Sequence, residues 1–166
     1  GVDSLDLELL TSDVDLSRRT AEFLQAQLQD NLPGLTLTIR SVPLQNRIEF
    51  SRNLDFDIMY GTWAPDYQDG INFIEQYTTD GGINFGDYSN EIYDGLVEQA
   101  RVEFANNPEE RRAALLEAER IVIEEDAAVT PFYQASTSYL LDTNVEKFEV
   151  YPFGRTINLR TVYVSE

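Results

Sequence analysis

Between Leu5 and Tyr60 the apolar periodicity switches twice from two to between three and four and back, and no other feature of the chain constrains its fold as much. Leu5, Leu7 and Leu9 alternate with Asp6 and Glu8, and Leu10 closes the run, as in a strand with one buried face. Ser17 offers a helix cap, and Ala21, Leu24, Leu28 and Leu32 recur at helical spacings until Pro33-Gly34 stops the helix. Leu35, Leu37 and Ile39 then alternate with Thr36, Thr38 and Arg40 in a second strand. After Pro43 a short helix carries Leu44 and Ile48 on one face, and Phe56-Asp57-Ile58-Met59-Tyr60 reads as a third strand. Two successive crossovers of this kind predict a largely parallel sheet covered by helices.

Such sheets bind ligands beyond the carboxyl ends of their strands. The segment leaving the third strand there is Gly61-Thr62-Trp63-Ala64-Pro65-Asp66-Tyr67-Gln68-Asp69-Gly70, which sets Asp66 between Trp63 and Tyr67. A carboxylate between aromatic walls pairs with an ammonium through charge-assisted hydrogen bonds, and rings that exclude water strengthen the pairing. The same residues also suit an ordinary loop in which the aromatics anchor a core and Asp66 caps a turn. Its place at the carboxyl edge of the sheet favours the binding reading.

Downstream, Ile71, Phe73, Ile74 and Tyr77 suit a short helix, and Thr79-Asp80-Gly81-Gly82 a turn. Ser89 offers the cap of a helix whose apolar face is Tyr93, Leu96, Val97, Ala100 and Phe104. Asn107-Pro108-Glu109-Glu110 combines a cap, proline at the first helical position and an acid three residues after the cap, which starts a helix running to about Glu125. Strands are expected over 129–135, 138–141, 145–150 and 157–164. No internal repeat, linker or low-complexity tract interrupts the chain.

The 166 residues are 42% hydrophobic, with nine Phe and nine Tyr, enough for a single domain over 1–166 with its own core. Thirty acidic residues oppose twelve basic ones for a net charge of −18, and Lys147 is the only lysine. Nucleic acid is not an expected partner, since neutralising phosphates takes clustered Lys and Arg. With neither Cys nor His, thiol nucleophiles, Ser-His-Asp triads and the usual zinc ligand sets are excluded. No cofactor or metal is expected. No run of eighteen apolar residues occurs, so this domain is not expected to insert into a membrane.

Three segments carry a resemblance: Trp63-Ala64-Pro65-Asp66-Tyr67-Gln68-Asp69, then Tyr88-Ser89-Asn90-Glu91-Ile92-Tyr93-Asp94, then Glu124-Glu125-Asp126-Ala127-Ala128-Val129-Thr130-Pro131-Phe132-Tyr133. In order and spacing they resemble landmarks of the extracytoplasmic oligopeptide-binding receptors of ABC importers, within the peptide and nickel class of solute-binding proteins. The resemblance covers nearly the whole chain. It implies an α/β, periplasmic-binding-protein-like (type II) lobe, with helices on both faces of a mainly parallel mixed sheet. The chain is then the carboxyl-terminal lobe of a larger, monomeric two-lobed receptor, an excised domain whose other lobe lies elsewhere. That receptor is expected outside the cytoplasm, as a cell-surface lipoprotein or in the periplasm. It would close around an extended oligopeptide and hand it to the membrane permease.

By the same resemblance Asp66 pairs with the peptide's α-amino group. The main chain at Ala64 and its neighbours, Pro65 included, pairs with the ligand backbone as an added strand would. Trp63 walls a side-chain pocket, and Tyr67 is the second aromatic beside Asp66. Tyr60, Asn84, Tyr88 and Tyr133 are secondary cleft candidates, each also readable as packed core or turn. No catalytic residue is expected. Two departures from the family pattern bear on the pocket: Thr62 stands directly before Trp63 where Gly is usual, and Gly70 stands where Pro commonly follows the second acid.

Rival readings use the same acids. Asp66 with Asp69, or Asp55 with Asp57, would make a carboxylate pair for glycoside hydrolysis, although 55 and 57 sit at the start of a strand, away from a cleft. Asp66, Gln68, Asp69 and Asn72 are oxygen donors for calcium, without the alternating ligands and terminal Glu of a helix-loop-helix site. Within the receptor class, the alternative cargo is a dipeptide, an oligosaccharide or a metal complex.

Overall fold

A computed structural model describes residues 4–151 and 157–165. The chain divides into two compact units, Gly1–Trp63 with Phe85–Asp87, and Ala64–Asn84 with Tyr88–Glu166.

The first unit is built as the alternating periods predict. Strand β1 (Leu5–Ser12) leads through α1 (Asp15–Asn31) to β2 (Leu35–Val42), then through α2 (Leu44–Arg52) to β3 (Ile58–Met59). The three strands form one parallel sheet in the order β2-β1-β3, in register from Leu5 opposite Leu35 to Ser12 opposite Val42. Odd-numbered residues of β1 and β2 and even-numbered residues of β3 face α1, where Leu9, Leu37 and, just past β3, Tyr60 pack with Ala21. The opposite face meets α2: Ser51 and Arg47 contact the Met59 sulfur, and the Arg40 guanidinium lies 3.7 Å from the centre of the Phe50 ring while pairing with Glu8 and Asp55. Helices therefore cover both faces.

Two local details differ from the sequence expectation, and one agrees with it. Helix α1 starts at Asp15, before Ser17, and Val14 at its cap makes no side-chain bond. Asp15 instead braces the first turn by pairing with Arg18 and Arg19. Gly34 at φ 91° makes the turn out of α1, a backbone state that glycine adopts at little cost. Strand β3 is shorter than Phe56 to Tyr60, because the Asp57 carboxylate takes the Glu8 N–H at 2.8 Å, leaving only Leu9 and Leu10 of β1 paired with β3 residues.

The second unit is mainly helical. A turn of helix, α3 (Ile71–Ile74), tightens into a 3-10 turn at Glu75–Tyr77. Helix α4 (Glu91–Glu98) and helix α5 (Pro108–Arg120) each continue into a wider π turn, Gln99–Glu103 and Ile121–Glu125. Asn90 rather than Ser89 caps α4, its side chain accepting the N–H groups of Ile92 and Tyr93, while the Ser89 hydroxyl lies 3.0 Å from that of Thr79. Asn107 caps α5 with Pro108 at its first position, as the sequence predicts. The core joins Ile71 and Ile74 of α3 to Tyr93 and Val97 of α4 and to Ala118, Ile121 and Val122 of the last helical segment.

Past this helix the expected strands mostly fail to form. Residues 129–141 hold no strand, and 130–141 are exposed throughout. An alternating pattern becomes a strand only when another backbone supplies its hydrogen bonds, and no described strand pairs with these residues. The 145–150 stretch is broken by Lys147, at φ 55°, into β4 (Val145–Glu146) and β5 (Glu149–Val150). These pair antiparallel with β7 (Tyr163–Val164) and β6 (Ile157–Asn158), respectively. Part of the strand expected over 157–164 is thus interrupted as well.

Candidate ligand-binding loop

Strand β3 is followed by Tyr60, whose N–H donates to the Leu10 carbonyl at 2.9 Å, and the chain then leaves the carboxyl edge of the sheet. Tyr60 is 5% exposed and belongs to the core under α1. Gly61 runs close to α2, since a Cβ there would stand 3.0 Å from Arg47 Nη1. Trp63, the last residue of the first unit before the chain passes into the second, is 42% exposed. Gly61, Thr62 and Ala64 are exposed too, leaving their main chain open.

From Ala64 to Gly70 the chain forms neither helix nor strand, and side-chain bonds join a few backbone ones in setting its shape. The Asp66 N–H donates to Asn72 Oδ1 at 3.0 Å, and Asn72 is 5% exposed. Asp69 Oδ1 accepts from the Ile71 N–H and from Arg111 Nη2, both at 2.9 Å. Burial pushes the Asp69 carboxyl up, but the Arg111 hydrogen bond, the Ile71 N–H and the Arg111 charge outweigh it and hold the group below the usual carboxylate range. Tyr67, 47% exposed, donates its hydroxyl to Glu75 Oε1 at 3.3 Å.

The acids near the loop separate by occupation. Asp55 pairs with Arg40, Asp57 holds the Glu8 N–H and Asp69 is held by Arg111. Asp66 differs: its carboxylate is exposed and, among the described residues, has neither a hydrogen bond nor an ion pair. The pairs that sequence offered as acid-base couples thus include carboxylates already engaged. Two of the four oxygen donors offered for calcium, Asp69 and Asn72, are likewise spent on internal bonds, and no metal-binding group of three acids occurs among the described residues.

Asn84 closes its own turn, donating to the carbonyls of Thr78 and Tyr88 and accepting the Tyr88 N–H. Tyr88 packs edge to face with Tyr93 and donates its hydroxyl to Asp126 at 2.6 Å. Tyr133 is exposed, within the 129–141 stretch that holds no strand. Arg111 and Asn72 were not singled out as partners of the loop by sequence. Arg111 lies 42 positions from Asp69, and no spacing rule links such a pair.

No protein-family model matches the chain. It is 29% identical over 167 residues to a dipeptide-binding protein of Lactococcus lactis, covering 98% of this chain and 29% of that protein. It is 28% identical over 138 residues to the dipeptide-binding protein DppE of Bacillus subtilis, covering 82% of this chain and 24% of that protein. Among solved structures, the substrate-binding domain of an oligopeptide ABC transporter from Bacillus anthracis matches with a TM-score of 0.87 and 27% identity, over 99% of this chain and 32% of that one. Listeria monocytogenes OppA bound to peptide matches with a TM-score of 0.82 and 33% identity, over 99% of this chain and 31% of that one. The chain spans under a third of the length of each of these proteins. These relatives are named as dipeptide-binding proteins, and the fold of the chain is that of a type II periplasmic-binding-protein domain.

Proposed function

We propose that this chain is the carboxyl-terminal ligand-binding lobe of a longer, non-enzymatic substrate-binding protein that captures short peptides outside the cytoplasm for an ABC importer. In this reading Asp66 holds the peptide's α-amino group, Trp63 walls a side-chain pocket, Tyr67 is the second aromatic next to Asp66 in the sequence, and the main chain at Ala64 and its neighbours, Pro65 included, adds to the ligand backbone. A second lobe, outside this chain, closes over the bound peptide.

One observation carries the reading. Where the Tyr67 hydroxyl and the Asp69 carboxylate of the loop are committed to internal bonds, the Asp66 carboxylate is exposed and unengaged among the described residues. An acid with no structural task, next to the exposed Tyr67, is suited to a cationic ligand group. An amine anchor and backbone pairing are shared by all peptides, so they give affinity without demanding a sequence. The names of the relatives support peptides as the cargo class.

In the full-length protein, Asp66→Asn is expected to weaken a free-amine tripeptide by about 2 kcal/mol, roughly thirtyfold, at the low end of the cost of truncating one partner of a charge pair. The acetylated form of the same tripeptide should change little. Equal losses for both peptides by calorimetry would remove Asp66 from the amine role. Mass spectrometry of ligands that co-purify with the protein tests the cargo independently: a mixture of short peptides is expected, and sugars or metal chelates would replace that assignment.

A further inference from the structure

We propose that Asp69 and Arg111 form a latch that sets where the Asp66 carboxylate stands, making Arg111 a positioning residue for recognition of the ligand amine. This inference rests on the proposed role of Asp66.

Little else holds the loop. From Ala64 to Gly70 there is no ladder of backbone bonds, and the Asp66 main chain is tied through a single N–H to Asn72. One tether leaves a pivot. Holding a carboxylate against an ammonium requires placement to about 0.5 Å and 10–20°, so a second fixed point is needed. Asp69 supplies it three residues further on: one of its oxygens receives both the Ile71 N–H and Arg111 Nη2, while its own N–H donates to the Tyr67 carbonyl at 3.0 Å. The span from Asp66 to Asn72 is thereby closed at both ends and pinned between them.

The far side of the latch is equally fixed. Arg111 sits in the first turns of α5, and its Nε donates to the Ala100 carbonyl in the π turn after α4, at 3.0 Å. The guanidinium is thus held at two of its nitrogens, Nε by the Ala100 carbonyl and Nη2 by Asp69 Oδ1. A lysine ammonium lacks that planar fork and carries its charge on a more mobile stem. The ion-paired side chains are only 25% and 30% exposed, so solvent screens them less than the helix-surface pairs such as Arg18 with Asp15. A second strut runs in parallel, from Arg101 to Glu75 at 3.1 Å and from Glu75 to the Tyr67 hydroxyl.

A purely structural ion pair would join α3 to α5 and have no say in which ligand end is recognised. The experiment therefore reads selectivity as well as affinity. Calorimetry on the full-length protein compares a free-amine tripeptide with its amino-terminally acetylated twin, in wild type, Arg111→Met, Arg111→Lys and Asp66→Asn. Arg111→Met is expected to weaken the free-amine peptide at least tenfold and the acetylated one less than threefold, as orders of magnitude for a displaced charge partner. Arg111→Lys should fall between Met and wild type in the ratio of the two affinities. Equal weakening of both peptides, or an unchanged ratio, overturns the latch. If Arg111→Met does not fold, Arg111→Lys, which keeps the charge, decides alone: a reduced ratio supports the latch and a wild-type ratio overturns it. If Asp66→Asn itself leaves the ratio unchanged, the amine reading has failed and the latch falls with it. If Asp66→Asn collapses the ratio and neither Arg111 variant lowers it, only the latch is refuted.

Discussion

A hydrogen bond between Tyr88 and Asp126 shows how single side chains divide their tasks in the second unit. Asp126 Oδ2 accepts from the Tyr88 hydroxyl at 2.6 Å and from the Asn90 amide at 2.8 Å, tying the end of the last helical segment to the cap of α4. The Tyr88 hydroxyl is pushed above the usual tyrosine range, first by burial and then by the hydrogen bond and negative charge of Asp126. Asp126 is held below the usual carboxylate range by those same two donors. The signs differ. The stability due to the lowered Asp126 is present above the ordinary Asp value near 3.9 and is lost as pH falls through its own lower value. The stability due to the raised Tyr88 is present below the ordinary Tyr value near 10 and is lost as pH rises through its own higher value. The tie should therefore hold across the whole interval between. The difference in alkaline absorbance between wild type and Tyr88→Phe should place the ionisation of residue 88 well above the ordinary tyrosine range. A midpoint at the ordinary value would show the bond to be absent in solution.

Between elements, burial does most of the joining, and one buried hydroxyl adds direction. Tyr93 of α4 is fully buried among α3, α4 and the last helical segment, and its hydroxyl donates to the Ile74 carbonyl at the end of α3. That carbonyl sits where the α turn tightens to 3-10 geometry and where helix ends leave acceptors unpaired. Tyr93→Phe keeps the ring and strands the acceptor, so it should cost about 1–3 kcal/mol. Urea unfolding would check this, and an unchanged midpoint would mean that water reaches Ile74. The 129–141 stretch shows the converse. There the alternation typical of a strand is present, but no described strand pairs with it and it forms none.

For the whole molecule the governing quantity is charge. Arginines are spent in local pairs, as with Arg120 between Glu117 and Glu125, yet thirty acids against twelve bases leave a field that opposes compaction. Exposed pairs contribute little each, and salt screens them together with the repulsion. Since the net charge is −18, the repulsion should dominate. Raising sodium chloride from about 10 mM to about 0.5 M, which shortens the Debye length from roughly 30 Å to under 8 Å, is therefore expected to raise Tm. A fall in Tm would mean that the ion pairs outweigh the excess charge.

What the sequence determined by itself is what short-range spacing encodes. The order strand, helix, strand, helix, strand, the cap at Asn107 and the placement of Asp66 beyond the third strand follow from periods of two and three to four and from local cap chemistry. Tertiary structure alone decided which acids were already taken. Asp57 meets the Glu8 N–H across 49 positions and Asp69 meets Arg111 across 42, so carboxylates that look alike in sequence became scaffold while Asp66 stayed open. The physical reason is that a periodic pattern specifies which way a side chain points, whereas its partner is set by where another segment of chain comes to rest.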